Sequence, residues 1–427
     1  MKRISIYYGW VIVGIAVFTM FLVYGVRHSF SVFFPPILSE FGWKRGSTSI
    51  MLSLHIFTYG IVAPFAGFLV DRWKPRRVMA MGVTILGLAA AACGLASQLW
   101  HFYLIFGILA PTGLSLCGWP VLSPTISNWF SKRRGLAMGM GQVGGGLSFA
   151  YAIFSEYLIS QLGWRHAYFA NGGFLIVLLL PIVLLFYFYH PKDKGLEPYG
   201  AESADNEAES ISKPEPESNM DWTLKYAMKT YQLWLMVFSM LFFWGIGCYM
   251  ILGHQVKLAE DAGYSGMFAA SIFALYGIVM VLGQLSSAVS DWIGRELTVY
   301  FAFVLTIIAL LALLLVKDAT SPWLLYVYAI CFGFGGGLYS PTVFVGAADI
   351  FHGRSFGAIS GLILAGMGVG GAFGPWIGGY IYDVWGSYDF AIYFSIASFI
   401  LALITYLLAA PRKAAKIRQE YLESFAG

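Results

Sequence analysis

The sequence is poor in charged residues and in cysteine. Of its 427 residues, 11% are Asp, Glu, Lys or Arg, whereas a soluble protein carries about a quarter. Its 4 cysteines fall in separate apolar stretches, and none has a second ligand at metal-binding spacing. The shortage of charge argues against a soluble globular protein. The cysteine spacing argues against both a disulfide framework and a zinc site.

Signals for an enzyme or a nucleic-acid-binding protein are also lacking. The Gly-x-Gly-x-x-Gly pattern in "GMGQVGGG" follows no predicted strand and lies inside an apolar helical run, so it does not indicate a phosphate-binding loop. The basic residues form no clustered patch of the kind that binds nucleic acid. We therefore predict no enzymatic activity, no cofactor, no metal and no nucleic-acid partner.

Apolar runs of about 20 residues recur along the whole sequence, and each can cross about 30 Å of hydrocarbon as a helix. The short alternating segments of a membrane β-barrel are absent. The run after "MKRIS" is full length and has no small-residue cleavage site, which predicts a retained helix rather than a signal peptide. We predict an all-α integral membrane fold with twelve transmembrane helices, near residues 8–35, 47–70, 76–96, 101–127, 136–160, 166–189, 231–255, 266–290, 297–316, 321–347, 355–382 and 389–410.

Lys and Arg are distributed unevenly among the predicted loops. Arg27 lies in the first span, and most of the others lie at the termini and in alternate loops. By the positive-inside rule this places both termini in the cytoplasm of a multi-pass plasma (inner) membrane protein. An even number of spans agrees with that orientation. The few basic residues of the opposite, predicted outer side are Lys44, Arg45, Arg165, Lys257 and Lys317.

The chain divides into two halves that resemble each other. Residues 197–221 are rich in Glu, Ser, Pro and Asp and predict a flexible cytoplasmic linker. "GFLVDRWKPRRVMA" after span two matches "SAVSDWIGRELTVY" after span eight. Duplicated six-helix halves are typical of secondary transporters, whose substrate site lies between the repeats. The predicted parts are a six-helix bundle at 1–190, the linker at 191–230, a pseudo-symmetric second bundle at 231–411 and a cytoplasmic tail at 412–427.

The loop motif after span two resembles that of the major facilitator superfamily, and the likeness extends over essentially the whole chain. "YYGWVIV" and "NWFSKRRGLAMGMGQVGG" are similar to motifs of its monocarboxylate porter and oxalate/formate antiporter branch. The resemblance implies alternating access around a cavity lined by spans one, four, seven and ten. Asp71 could accept hydrogen bonds from arginines and from a helix N-terminus, closing the cytoplasmic side in one state. The predicted gating residues are Gly67, Asp71, Arg72, Arg76, Arg77, Asp291 and Arg295.

The cations that bind anions in this branch are missing here. Its eighth-helix arginine falls on Gly283, and its eleventh-helix lysine falls near Ile363. Its first-helix lysine falls on His28. Two interpretations stay open: the positive charge has moved to span one, or the substrate is different.

Arg27 and His28 are the polar pair within the first span. A guanidinium can bind a carboxylate through two hydrogen bonds, and an imidazole can exchange a proton near neutral pH. Neighbouring helical residues diverge by about 100°, so both side chains cannot point into the same cavity. The alternatives are that Arg27 snorkels to the outer interface or bonds helix carbonyls, and that His28 packs against a neighbouring helix.

Further polar residues inside the spans are candidates for the same site. Glu156 could pair with Arg27 or carry the proton, or could simply contact water near the outer surface. His55 lies four residues before Tyr59, as in a polar pathway or an interhelical bond, and His254 is interpreted as interfacial. The predicted proton-coupling residues are His28, Glu156 and His55. The predicted substrate-binding residues are Arg27, His28, Tyr24, Trp119, Ser123, Tyr249, Tyr276, Gln284 and Tyr339.

From these features we predict a monomeric secondary transporter, embedded in lipid, that moves a small organic anion by alternating access. A monocarboxylate is the expected cargo, carried by proton symport or by anion exchange. The alternative is a proton-linked exporter of neutral or cationic compounds, in which Glu156 couples the proton and Arg27 is structural. A receptor built on this fold would need a soluble signalling domain, for which the linker and the tail are too short.

Overall fold

The computed structural model of the chain describes residues 7–200, 222–351, 355–417 and 419. Most of the predicted linker and the end of the predicted tail lie outside the described residues, as do the side chains of Asp71 and Arg134. Eleven helical stretches in the described residues are long and apolar enough to cross a membrane. One of them, Gly135–Phe186, has 52 residues and is interrupted at Gly163, whose φ of 76° and ψ of 158° are not helical. Divided there it forms two spans, and the predicted twelve-helix membrane fold is confirmed.

We number the spans in chain order. Span one is Tyr8–His28 with Phe30–Phe41, span two Arg45–Arg72, span three Pro75–Cys93, span four Leu99–Leu104, Ile105–Leu109, Ala110–Cys117 and Trp119–Trp129. Span five begins with Arg134–Leu147 and Ser148–Ala150, and Tyr151–Phe186 completes it and forms span six after Gly163. Span seven is Tyr231–Met240, Leu241–Cys248 and Tyr249–Asp261, and span eight is Gly266–Ser286 with the short turns Ser287–Val289 and Ser290–Ile293. Spans nine to twelve are Arg295–Leu314, Trp323–Phe351, Phe356–Trp385 and Asp389–Ala409.

The first span of each half is irregular near its middle. In span one the helix pauses at Ser29, whose hydroxyl donates to the carbonyl of Gly25 at 2.7 Å. Such bonds to the preceding turn bend helices. In span seven, Leu241–Cys248 is wound as a π-helix, a form that is rare and concentrates at functional sites. These irregular segments lie in two spans that the resemblance assigns to the central cavity.

Contacts divide the chain into two compact units. The first comprises Met1–Phe33 and Thr58–Glu217, and the second comprises Phe34–Phe57 and Ser218–Gly427. The boundary passes through spans one and two, so the segment that joins these spans groups with the C-terminal helices. Each unit is described by itself below.

Glycine allows close helix packing in both units. On span eleven, a Cβ at Gly370 would lie 2.4 Å from the carbonyl oxygen of Leu241 in span seven. On span five, a Cβ at Gly144 would lie 2.1 Å from the carbonyl oxygen of Val17 in span one. Both distances are shorter than any side chain allows, so these helix pairs meet backbone to backbone. In each unit, the irregular first span packs against a glycine-rich helix.

Candidate functional site

Arg27 is buried inside the first unit, and the residue is 2% exposed. Its guanidinium carbon lies 5.9 Å from the ring centroid of Tyr24 and 5.2 Å from that of Tyr59. The two phenol oxygens are 2.6 Å apart and share a hydrogen bond. Each cation–π contact offsets about 0.5–2 kcal/mol of the cost of burying the charge. The side chain therefore stays among the helices instead of extending to a membrane surface.

His28 is fixed in one orientation by span five. Its ring stacks on Phe149 at a centroid distance of 3.7 Å, and its Nδ1 lies 2.8 Å from the hydroxyl of Ser148. That hydroxyl donates its single hydrogen to the carbonyl of Gly145 at 2.6 Å. It must therefore accept from Nδ1–H, because a hydroxyl has one hydrogen to give. In the neutral ring this leaves the lone pair, and so the basic site, on Nε2.

A hydrogen-bonded chain next to His28 connects span one with spans five and six. Ser29 lies 2.8 Å from the hydroxyl of Ser155, which accepts from the amide of Asn171 at 3.2 Å. Tyr151 donates to the other end of that amide at 3.0 Å. Glu156 follows Ser155 directly and is half-buried. Its role as a proton carrier stays a prediction, but the chain beside it holds this part of span five in place.

Span four changes direction beside Tyr24. Gly118 has an extended backbone (φ −92°, ψ −154°) that separates Cys117 from Trp119. A Cβ at Gly118 would lie 2.7 Å from the carbonyl oxygen of Leu114 and 3.4 Å from the ring of Tyr24. Trp119 and Ser123, just after the break, are half-buried. Their role in binding substrate stays a prediction.

In the second unit, two of the predicted substrate-binding tyrosines belong to the core. Tyr339 stacks on Phe243 at 3.6 Å, and its hydroxyl lies 2.5 Å from that of Ser239. Because Ser239 donates to the carbonyl of Ala402 at 2.7 Å, it accepts from Tyr339. Tyr276 is fully buried, and its hydroxyl points at the sulfur of Met280 at 3.6 Å. Both phenols bond within the unit in this conformation, and their contact with substrate stays a prediction.

Trp244 and Tyr249 form a second aromatic pair on span seven, with ring centroids 6.4 Å apart. The indole of Trp244 donates to the hydroxyl of Ser340. Beside them, a Cβ at Gly336 would be in ordinary van der Waals contact with the indole, at 3.7 Å. Gln284, on span eight, is half-buried. This part of the second unit offers aromatic faces and neutral polar groups.

The positions that carry cations in the resembled branch are closed here. A Cβ at Gly283 would lie 2.4 Å from the carbonyl oxygen of Phe334 and 3.1 Å from the Cα of Gly337. Spans eight and ten are therefore in backbone contact, and an arginine at 283 would require them to separate. Ile363 is fully buried. The missing cations are thus accompanied by tight packing at one position and an apolar core at the other.

The gating motif after span two is held partly by span six. Arg76 donates to the carbonyl of Tyr187 at 2.9 Å, and its guanidinium lies 4.6 Å from the ring of Phe188. Arg72 lies over the ring of Phe68 at 4.4 Å. Arg77 is exposed, and a Cβ at Gly67 would meet nothing within 4 Å. The side chain of Asp71, on which the predicted gate depends most, lies outside the described residues.

The second copy of the motif is an ionic cluster. Arg295 donates through Nε to Asp349 at 3.0 Å and through Nη1 to Ser290 at 2.7 Å and to Asp291 at 2.5 Å. Asp349 ends span ten, so the short turn between spans eight and nine is tied to a third helix. The sequence pattern identified Arg295 and Asp291. It did not identify Asp349 as their partner.

His55 and the partners of His28 show what sequence reasoning missed. His55 is fully buried and belongs to the second unit. Tyr59, four residues later, belongs to the first and bonds Tyr24. Ser148, which orients His28, was not singled out, although a serine two residues after three consecutive glycines in span five was a usable signal.

Comparisons with known proteins agree with this architecture. The model of the Major Facilitator Superfamily matches residues 16–363 and 319–423. A bacterial homologue of the human lysosomal transporter Spinster, solved in an inward-facing and occupied conformation, has the same fold, with a TM-score of 0.72. That structure is 17% identical, and the alignment covers 95% of this chain and 97% of the other. At this identity the likeness concerns the fold.

Similar sequences include transporters of two kinds. Monocarboxylate transporter 13 of Rattus norvegicus is 28% identical over 95% of this chain and 89% of its own length. Monocarboxylate transporter 11 of Homo sapiens is 26% identical over 92% and 80%. A probable hexose phosphate transport protein of Chlamydia trachomatis is 26% identical over 91% and 89%.

Twelve membrane helices, together with relatives that are transporters, identify a multi-pass membrane transporter of small molecules. The chain belongs to the Major Facilitator Superfamily. Its relatives are transporters, so the prediction that it is not an enzyme is confirmed.

Proposed function

We propose that this transporter moves a small organic anion, with a monocarboxylate as the leading cargo, by alternating access. The observation that carries the proposal is the buried Arg27, packed between Tyr24 and Tyr59 beside His28. A fixed cation at membrane depth is costly and marks a functional site. The names of the rat and human relatives support the same substrate class.

In this proposal Arg27 holds the carboxylate and His28 handles the proton. The guanidinium offers a planar fork that fits a carboxylate through two hydrogen bonds. The Nε2 of His28 can accept a proton while Nδ1–H remains on Ser148. The imidazolium adds a second positive charge near the anion, which lowers the cost of carrying it through the membrane. Proton symport follows directly, and anion exchange at the same arginine remains the other mode.

A phosphorylated sugar is the second candidate cargo, because some relatives are named as probable hexose phosphate transport proteins. A phosphate oxygen pair would occupy the same guanidinium fork. The exporter of neutral or cationic compounds, with Glu156 as the coupling acid, is the remaining alternative. It requires that Arg27 serve the fold alone.

Uptake into proteoliposomes separates these cargoes. The purified protein is reconstituted with an inward proton gradient and offered radiolabelled lactate, pyruvate, glucose 6-phosphate and tetraphenylphosphonium in parallel. We expect gradient-stimulated uptake of a monocarboxylate, competed by other monocarboxylates and abolished by a protonophore. Uptake of the sugar phosphate alone would replace the leading cargo. Transport of the cation by the Arg27→Gln variant at the wild-type rate would overturn the anion proposal.

We further propose a monomer in the plasma (inner) membrane with both termini cytoplasmic. Cys93, Cys117 and Cys248 are buried and Cys331 is half-buried, so a Cys331→Ser background should react little with maleimides. In intact cells, a membrane-impermeant maleimide should label Ser160→Cys, on the predicted outer side, and should spare Lys194→Cys. The reverse pattern would invert the topology.

A further inference from the structure

His254, interpreted from the sequence as interfacial, is buried within the second unit, and the residue is 2% exposed. It lies at the centre of a cluster that we call the Arg45 latch, made of Arg45, His254, Asp261, Asp383 and Tyr388. All five belong to the second unit. The cluster joins the first turn of span two to the ends of spans seven and eleven, on the predicted outer side.

The latch begins with a carboxylate at a helix N-terminus. The two oxygens of Asp383 accept from the backbone amides of Arg45 at 2.9 Å and of Gly46 at 2.7 Å. These are the first amides of span two, where the helix dipole favours negative charge. A Cβ at Gly379 would lie 2.7 Å from the carbonyl oxygen of Arg45. The end of span eleven is therefore seated directly on the start of span two.

The side chain of Arg45 adds a second layer of contacts. Its guanidinium lies 3.4 Å from the ring centroid of Tyr382, donates to the hydroxyl of Tyr388 at 2.9 Å and forms an ion pair with Asp261. Lys257 donates to the same carboxylate at 2.6 Å. Span seven is thus tied to span two through Asp261. Apart from the bond between Lys257 and Asp261, each of these contacts involves Arg45.

His254 determines the direction of the hydrogen bonds behind Arg45. Its Nε2 faces the carbonyl of Pro375 at 2.8 Å and the hydroxyl of Ser49 at 3.3 Å. Ser49 gives its hydrogen to the carbonyl of Arg45 at 2.6 Å, so both groups accept and Nε2 carries the hydrogen. In the neutral ring, Nδ1 must then accept from Tyr388, whose oxygen is 3.1 Å away. Burial raises the pKa of Tyr388, which keeps the phenol protonated and able to donate.

Protonation of His254 reverses this last bond. Nδ1 would then carry a hydrogen that points at the hydroxyl hydrogen of Tyr388. The hydroxyl would have to rotate its hydrogen away from His254. The phenol oxygen would be left to accept from two cations, His254 and Arg45, whose charges repel each other. Besides Arg45, the charged group that acts on the ring is Asp383 of span eleven. Lys257, Glu260 and Asp261 lie further along span seven, and Phe34 of span one presents an apolar edge. The hydrogen bond from Arg45 to the hydroxyl of Tyr388 is therefore the contact that is most weakened.

We propose that His254 is a second proton-binding site, distinct from His28, and that its protonation releases the Arg45 latch and favours opening of the predicted outer side. The inference rests on the proposed alternating access. It does not depend on which cargo is carried. If the proposal holds, a low pH on the outer side favours the outward-open conformation, which faces the compartment that supplies the protons.

The test is a distance measurement by double electron–electron resonance in reconstituted full-length protein. Spin labels are placed at Lys44→Cys and Thr320→Cys, both exposed, in a Cys331→Ser background. At neutral pH we expect one short distance, and at pH 5.5 a growing long-distance population. His254→Gln should hold the short distance at both pH values, because its amide can donate to Pro375 and accept from Tyr388. Arg45→Gln should show the long distance at both.

Control variants distinguish the latch from general acid effects. His166→Gln removes an exposed histidine and should leave the pH response unchanged. Tyr388→Phe keeps the ion pair of Arg45 but disconnects it from His254, and should lose the pH response. A full pH response in His254→Gln or in Tyr388→Phe would overturn the proposal. Because the measurement needs no substrate, a negative uptake assay with a positive distance shift would reject the proposed cargo and leave the latch standing.

Discussion

The two units place their polar groups differently. In the first, a cation and an imidazole lie within a membrane helix, at Arg27 and His28, supported by phenols and a serine. In the second, the described charged clusters lie at helix ends, around Arg45 and around Arg295, and interior pairs such as Trp244 with Ser340 are neutral. A duplicated fold has thus diverged into a unit with charge inside its helices and a unit with charged contacts at their ends. We expect the first to bind and the second to control conformation.

Removing the interior cation, Arg27, is expected to have the largest effect on transport. Arg27→Gln should lose two charge-assisted hydrogen bonds to a carboxylate, about 3 kcal/mol or roughly a 100-fold fall in uptake at low substrate. Arg27→Lys should recover part of the lost uptake, because lysine restores the charge without the planar fork. Initial uptake rates in proteoliposomes measure both. Lys225→Gln, which removes an exposed charge, is the matched control, and an equal fall there would contradict the assignment.

Replacing the interior imidazole should alter pH dependence more than binding. His28→Gln can still donate to Ser148 but cannot take up a proton. We expect uptake of a monocarboxylate to continue, with most of its stimulation by an inward proton gradient lost. Counterflow at equal pH on both sides, which needs no net proton movement, should remain near the wild-type rate. If the gradient still accelerates the variant fully, the proton is carried elsewhere, with Glu156 the next residue to replace.

Packing at the position of the missing cation is a further property of the second unit. Gly283→Ala should destabilise the protein by about 1–3 kcal/mol through overpacking, because its Cβ would meet the backbone of span ten. Gly361→Ala is the matched control, since a Cβ there meets nothing within 4 Å and alanine favours helix by about 1 kcal/mol. Thermal unfolding in detergent should therefore shift downward for the first variant and stay level or rise for the second. Similar shifts for both would mean that spans eight and ten can separate easily.

Helix positions were predictable from sequence, and side-chain partners were not. A 20-residue apolar run is a strong local signal, so span twelve, predicted at 389–410, is observed at Asp389–Ala409. The bond between His28 and Ser148 joins residues 120 positions apart and depends on how two helices rotate about their axes. The pause at Ser29 and the burial of His254 have the same origin in tertiary packing. The grouping of residues 34–57 with the second unit has no signal in composition.

The smallest expected effect compares the two copies of the loop motif. Arg295 is held by two carboxylates, of which Asp291 has 60% and Asp349 39% of its side chain exposed, whereas Arg76 is held by the carbonyl of Tyr187. Exposed ion pairs contribute about 1 kcal/mol or less, and salt screens them further. Arg295→Gln should therefore lower thermal stability slightly at low ionic strength and become indistinguishable from wild type near 1 M salt, where the Debye length is about 3 Å. Arg76→Gln should show a small loss with little dependence on salt, because a carbonyl carries no net charge. If both variants depend on salt equally, a carboxylate also holds Arg76, and the two motif copies act alike.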